Sequence, residues 1–324
     1  MVLLVTGICG ETCWYCPLSQ EKKGKNVVYA DEMLVGFNRD IITEARYIDS
    51  EGTGITGGDP LLSKDTSKYI SLLKGEFGEE HHIHLYTSTT ELDRIRRVET
   101  EGLDEIRFHP PAHTWEHIED TEFLPLVRKL TGYDMDVGIE VPCIPGMGPA
   151  LKHLIQEIGP HVDFINLNEL EFSPTNWKEL TRRGLRQASA ESSAVMGSSD
   201  LMPELLETGI PIHFCTSSFK DAVQLRNRIK RRVKNVAKEG DIITEEGLLI
   251  RGIILCHDPA EVVSLLQREY EIPPELVWYD RDKERVEIAL YVLEEIYHML
   301  PYECYGIEEY PTADRLEVER WKLG

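Results

Sequence analysis

Val2-Leu3-Leu4-Val5-Thr6-Gly7-Ile8-Cys9-Gly10-Glu11-Thr12-Cys13-Trp14-Tyr15-Cys16-Pro17 opens the chain with a short continuous apolar run followed at once by three cysteines within eight positions. A run such as residues 2–5 reads as a strand buried on both faces. The cysteines, spaced C-x3-C-x2-C, then sit on a loop at that strand's C-terminal end. Gly10 allows the unusual backbone angles that wrapping a loop around a ligand needs, and Pro17 stiffens the exit.

Outward from this stretch the chain alternates. Leu34, Phe37, Ile41, Ala45 and Ile48 recur at spacings of three and four, the pattern of one helix face. Strands are expected near 54–56, 82–86, 105–108, 137–141, 164–167 and 211–214, with helices between them, among them 66–73 and one starting near 91. Repeated strand-helix units imply parallel strands, in an open sheet or a barrel, with their loops gathered at the C-terminal ends where such folds bind ligands. The style changes near 218. Ala222, Leu225, Ile229, Val233 and Val236 form an apolar stripe on a helix that carries eight basic side chains and one acidic one between Lys220 and Lys238. Beyond it a strand near 248–255, helices near 260–267 and 285–300, and an extended tail are expected. The domains are thus read as 1–218, a core, and 219–324, a substrate- or partner-binding extension.

The chain has 324 residues, 41% of them hydrophobic and 28% charged, with a formal net charge of −22. It is long enough to bury a full core without cross-links, and its composition is that of a globular protein. The negative charge argues against nonspecific attraction to nucleic acid or anionic membrane over most of the surface. No run approaches the roughly 18 apolar residues of a membrane span, so a cytoplasmic location is expected. Seven cysteines, three of them clustered, suit metal binding in a reducing compartment better than a disulfide framework.

Three thiolates on one tight loop can hold three corners of an iron-sulfur cubane and leave the fourth iron without a protein ligand. A structural zinc site wants four closed ligands and commonly a second cysteine hairpin, which is missing here. A cluster used only for electron transfer would want a fourth cysteine, and Cys143, Cys215, Cys256 and Cys304 stand isolated in sequence. A second cluster built from Cys215, Cys256 and Cys304 fits no compact ligand spacing, so these read as buried thiols. A second motif, Thr56-Gly57-Gly58-Asp59-Pro60, follows the next strand.

With these residues the chain resembles the radical S-adenosylmethionine (SAM) superfamily, whose signature is this cysteine spacing with an aromatic residue, here Tyr15, before the third cysteine. The resemblance covers about residues 1–217 and looks closest to the activating enzymes of glycyl radical proteins and their archaeal-type relatives. It implies an α/β fold, a partial (β/α)6 TIM-like barrel of parallel strands with a C-terminal α+β extension. It further implies one 4Fe-4S cluster on Cys9, Cys13 and Cys16, SAM chelating the open iron, and the ring of Tyr15 packed by the adenine. One electron passed to the sulfonium would yield methionine and a 5'-deoxyadenosyl radical that abstracts hydrogen from a substrate. Gly57 and Gly58 would let backbone approach the SAM amino group, with Asp59 where glutamate is more usual. Polar residues at strand ends, Thr87, Ser88, His109, Glu140, Asn166 and Asn168, would meet the rest of SAM, with Ser88, His109 and Asn168 taken as the cofactor-binding set.

An anaerobic setting and a reductant such as ferredoxin or flavodoxin are expected with that chemistry. The substrate stays open among a glycyl radical enzyme, a small molecule and tRNA. Arg226, Arg228, Arg231 and Arg232 are the candidate contacts to a phosphate-bearing substrate. The reading from another class, a noncatalytic iron-sulfur carrier or scaffold, has no use for the glycine turn.

Overall fold

The computed structural model describes residues 1–324. They form two compact units, residues 1–46 with 50–224, and residues 47–49 with 225–324, so the division falls a few residues after the expected 218.

The first unit is built on one nine-stranded sheet in the order β3-β2-β1-β4-β5-β6-β7-β8-β9. Its strands are β1 (Val2–Leu4), β2 (Tyr29–Ala30), β3 (Met33–Leu34), β4 (Gly52–Thr56), β5 (His82–Thr87), β6 (Glu105–Phe108), β7 (Asp136–Cys143), β8 (Phe164–Glu169) and β9 (Ile212–Cys215). Seven of them, β1 and β4 to β9, run parallel. They match the seven segments read as strands, one more than the (β/α)6 pattern the resemblance implies, and the sheet ends on two free edges, as a partial barrel does. Between the strands lie α1 (Asn38–Tyr47), α2 (Thr66–Phe77), α3 (Leu92–Thr100), α4 (Phe123–Leu130), α5 (Gly148–Ile158), α6 (Trp177–Arg182) and α7 (Met202–Leu206).

Two local readings need correction. The segment 29–34 forms a short antiparallel hairpin against β1, so Leu34 is a strand residue and not the start of a helix. The Asp40 carboxylate accepts the backbone N–H groups of Gly36 and Phe37, at 2.9 and 2.8 Å, and this cap starts α1 at Asn38. Leu34 and Phe37 are consequently exposed, while Ile41 and Ala45 carry the buried face.

The sheet's two faces differ in chemistry. Ile83 and Leu85 of β5, Ile106 and Phe108 of β6, and Ile139 and Val141 of β7 are buried in the main core with helix residues such as Ile70, Ile95 and Val127. The alternating positions on the other face are polar: His82, His84 and Tyr86, then Glu105 and Arg107, then Asp136 and Glu140. Arg107 lies between the rings of Tyr86 and Phe164, 5.3 and 5.7 Å from their centroids, and pairs with Glu105 and Glu140. Burial, and the charge of Arg107, push the His84 imidazole down to about 3, so it is neutral.

In the second unit α8 (Ser217–Phe219), which closes the first, leads through a π-helical turn into α9 (Arg226–Val236). There follow β10 (Ile242–Ile243), β11 (Leu249–Leu255), α10 (Pro259–Glu269), β12 (Val277–Asp280), β13 (Arg285–Ile288), α11 (Leu290–Ile296), β14 (Glu303–Glu309) and β15 (Glu317–Lys322). The strands form an antiparallel sheet in the order β12-β13-β11-β14-β15, with β10 on β11. The expected helix over 285–300 is right from Leu290 on, but its first four residues are a strand. Arg285 and Glu287 are used there in a buried ion network, and α11 begins only after Ala289.

Candidate active site

The cysteine loop leaves β1 and closes on itself through two backbone bonds, Gly7 N–H to the Lys25 carbonyl at 2.8 Å and Gly24 N–H to the Gly7 carbonyl at 2.7 Å. Cys9 is exposed and Cys13 and Cys16 are half-buried. The Glu11 N–H donates to the Cys9 sulfur at 3.3 Å, a bond that favours a thiolate, whereas burial pushes the Cys9 and Cys13 thiols up. All three line one cavity of about 310 Å³ at the C-terminal ends of the parallel strands. Three soft donors on one loop around an open space fit three corners of a 4Fe-4S cluster. Cys143 and Cys215, the other cysteines of this unit, do not line it.

Of the residues singled out in the sequence, Tyr15, Gly57, Gly58, Ser88, His109 and Asn168 line the same cavity, and so does Glu140. The fold gives the glycines a reason of its own. Neither has a positive φ. A Cβ on Gly57 would stand 2.4 Å from the Thr6 carbonyl oxygen, and one on Gly58 2.3 Å from that of Ile8. The turn is laced to the cysteine loop by Gly58 N–H to Thr6 at 2.7 Å and Asp59 N–H to Ile8 at 2.8 Å. The glycines therefore admit the backbone of the cysteine loop, and only what that contact leaves free faces the cavity.

Asp59 departs from its expected place. It is buried and absent from the cavity wall. Its carboxylate accepts from Leu61 N–H at 3.0 Å, the Thr87 hydroxyl at 2.7 Å and Ser88 N–H at 3.2 Å. It thus caps the turn after it and fastens the end of β5, presenting Ser88 to the cavity. Ser88 in turn donates its hydroxyl proton to the His109 carbonyl at 3.0 Å.

His109 lines the cavity with both ring nitrogens already used. Its Nδ1 is 2.8 Å from the Glu140 carbonyl, which can only accept, so Nδ1 carries the proton and Nε2 accepts from the Tyr15 hydroxyl at 3.0 Å. The Ala112 N–H donates to that hydroxyl at 3.3 Å. Burial pushes the His109 imidazole down and the Tyr15 phenol up, so both are neutral. His109 is therefore a positioning residue for Tyr15.

The Glu140 carboxylate accepts from Asn168 at 2.7 Å, Arg107 at 2.8 Å and Asn166 at 3.3 Å. These bonds fix the amide of Asn168 at the cavity wall.

Several residues escaped the sequence reading. Asn176, buried after β8, donates to the Tyr15 carbonyl at 3.0 Å and the Glu171 carbonyl at 2.9 Å, tying the cysteine loop to the far side of the cavity. Lys220, read as part of the basic helix, instead reaches the cavity wall and pairs with Glu171 at 2.8 Å. No local pattern marks either, since the contacts Asn176 to Tyr15 and Lys220 to Glu171 span 161 and 49 positions.

Within α9, Arg232 is buried, donates to the Pro311 carbonyl and lies over the Tyr47 ring, and Arg231 donates to the Ile48 carbonyl at 2.7 Å. Of the four arginines considered for a phosphate, Arg232 is thus buried within its own unit, while Arg231 stays exposed with one nitrogen engaged. No helix is long and apolar enough to cross a membrane.

Comparison with known proteins gives the family. The family model described as the Radical SAM superfamily matches residues 3–138, and one described as a domain of unknown function (DUF8061) matches residues 247–323. A protein of Methanocaldococcus jannaschii, provisionally named a glycyl-radical enzyme activating enzyme, is 39% identical over 342 aligned positions, which take in 100% of this chain and 89% of the relative. Among solved structures, Streptococcus suis SuiB bound to S-adenosylmethionine aligns at 10% identity and a TM-score of 0.45, over 66% of this chain and 49% of that one. A spore photoproduct lyase variant aligns at 14% identity and a TM-score of 0.44, over 64% of this chain and 74% of the other. The chain spans about half the length of the SuiB structure. On the full-length relationship to the methanogen protein, the chain belongs to the radical SAM superfamily, in the branch that resembles the glycyl-radical-enzyme activating enzymes.

Proposed function

We propose that Cys9, Cys13 and Cys16 hold a 4Fe-4S cluster and that SAM is seated between it and the strand ends at Gly57, Gly58, Ser88 and Asn168. Membership in the superfamily makes the chain an enzyme and implies both cofactors. The observation that carries the residue assignment is that three thiols, the glycine turn and these polar side chains line one cavity. Cys9, Cys13 and Cys16 would hold the cluster, which would supply the one-electron reducing chemistry for SAM cleavage.

The chain's own residues prepare that event by holding positions. Asp59 fixes Ser88, Glu140 fixes Asn168, and His109 with Asn176 fixes Tyr15. With these groups internally bonded, little reorganisation remains when the ligand arrives.

For the substrate, the name of the methanogen relative favours a protein, a backbone glycine of a partner enzyme, over a small molecule. The engagement of Arg231 and Arg232 weakens the case for RNA. The unit 225–324 is proposed as the surface that receives the partner, and a one-electron reductant such as ferredoxin or flavodoxin is required. Anaerobic incubation of the reconstituted, dithionite-reduced chain with SAM and a candidate partner tests this. A glycine-centred radical signal on the partner, with 5'-deoxyadenosine formed in equal amount, supports the reading. Deoxyadenosine without any partner radical would shift the substrate to another class.

A further inference from the structure

On β5, His82 and His84 stand two positions apart and project from the same face of the sheet. Glu105, the first residue of β6, is the register neighbour of His84. One donor atom from each of the three lies within 4.8 Å of the other two, and His82 Nε2 is 3.4 Å from Glu105 Oε2. Two ligands of one tetrahedral ion sit about 3.3 Å apart when metal–nitrogen bonds are near 2.0–2.1 Å. The pair is thus already at ligand spacing.

Arg107 takes the other oxygen of Glu105, which orients the carboxylate and leaves Oε2 toward the imidazoles. His84 can lie where it does because Gly54 opposite has no side chain, and a Cβ there would be 2.6 Å from its Nε2. The cluster is also reachable. His82 is half exposed and borders a cleft of about 640 Å³ whose wall carries Asp134, Asp136 and Asp163, with Asp104 there already paired to Lys74. A cleft lined by one sign of charge concentrates cations. It lies at the N-terminal ends of the strands, away from the thiol cavity at their C-terminal ends.

We propose that His82, His84 and Glu105 form a second metal site, for a divalent first-row transition cation such as zinc. Two imidazoles and one carboxylate are the donor set that such ions prefer over calcium or magnesium. Three protein ligands leave a coordination position open for water or another small ligand.

The test is zinc binding by the full chain with its iron-sulfur cluster loaded, under anaerobic conditions. After equilibration with Zn²⁺ and buffer exchange, zinc and iron are counted separately. One zinc per chain in addition to the iron is expected. His82→Ala and Glu105→Gln should each weaken zinc by about ten-fold or more, since even outer-shell changes cost that much, with iron unchanged. His84→Ala should do the same, and half-exposed His82 keeps the test valid where the more enclosed His84 variant fails to fold. Co²⁺ in place of zinc should show ligand-field absorption that the variants lose. No zinc on the wild-type chain, or zinc undiminished in both the His82 and Glu105 variants, overturns the proposal.

Discussion

Gly58 stands 2.3 Å, measured from its missing Cβ, from the carbonyl oxygen of Ile8, one residue before the first cysteine. Valine there must push the cysteine loop away, so Gly58→Val is expected to lose both the cluster absorbance after reconstitution and SAM binding. Retention of the full absorbance would show that the loop tolerates the displacement. His109 carries a prediction about acid. Its imidazole is held neutral in the fold, below its ordinary pKa, so the unfolded chain binds the extra proton. This contribution to stability is present above about pH 6.5 and is lost as pH falls toward the lowered folded value. His109→Gln should flatten the change in urea midpoint between pH 7.5 and 5.5, and an unchanged slope would deny the histidine that role. The three cysteines and the glycine turn were legible in the sequence because local spacing carries them. The long-range contacts of Asp59, His109 and Asn176 were not, because their partners Thr87, Tyr15 and Tyr15 lie 28, 94 and 161 positions away.

At the scale of elements, the parallel strands could be read from short apolar runs between helical patterns, while the hairpin of β2 and β3 could not. Two residues per strand leave no period to detect. The error over 285–300 has a similar cause: Val286 and Ile288 alternate as in a strand, then Leu290 and Leu293 continue at helical spacing without a break. What decides the strand is Glu287, fully buried in β13, where its carboxylate accepts from Arg251 at 2.7 Å, Arg285 at 2.8 Å and Trp278 at 2.9 Å, and also from Arg315. Burial alone would raise its pKa, but Arg251 and Arg315 outweigh that and hold it well below the carboxylate range. Glu287→Gln leaves these cations under-compensated, and a loss of about 3–5 kcal/mol is expected for the second unit. Faster hydrogen exchange confined to β11, β13 and β14 would report it. The depressed pKa also means that this stabilisation is present above about pH 4.5 and fades as pH falls below it. Exchange in these strands that is unaltered by the substitution would make the network dispensable.

For the whole molecule, the net charge of −22 and the engagement of Arg231 and Arg232 predict weak affinity for RNA. Fluorescence anisotropy with labelled tRNA at low salt should show no saturable binding, whereas tight binding with a steep salt slope would restore RNA as substrate. The expected boundary near 218 and the observed division at 224 differ because α8 and the π-helical turn continue the first unit past its last strand. The substrate itself was never legible, since no spacing in residues 225–324 corresponds to a known chemistry. The central claim, that Cys9, Cys13 and Cys16 form the centre at which SAM is cleaved, is tested most directly by the 5'-deoxyadenosine formed when the anaerobically reconstituted, dithionite-reduced chain meets SAM. Formation by the wild type, its loss in each of the three single Cys→Ala variants and its persistence in Cys143→Ala are the predicted results. Deoxyadenosine formed undiminished by the Cys13→Ala chain would contradict the account.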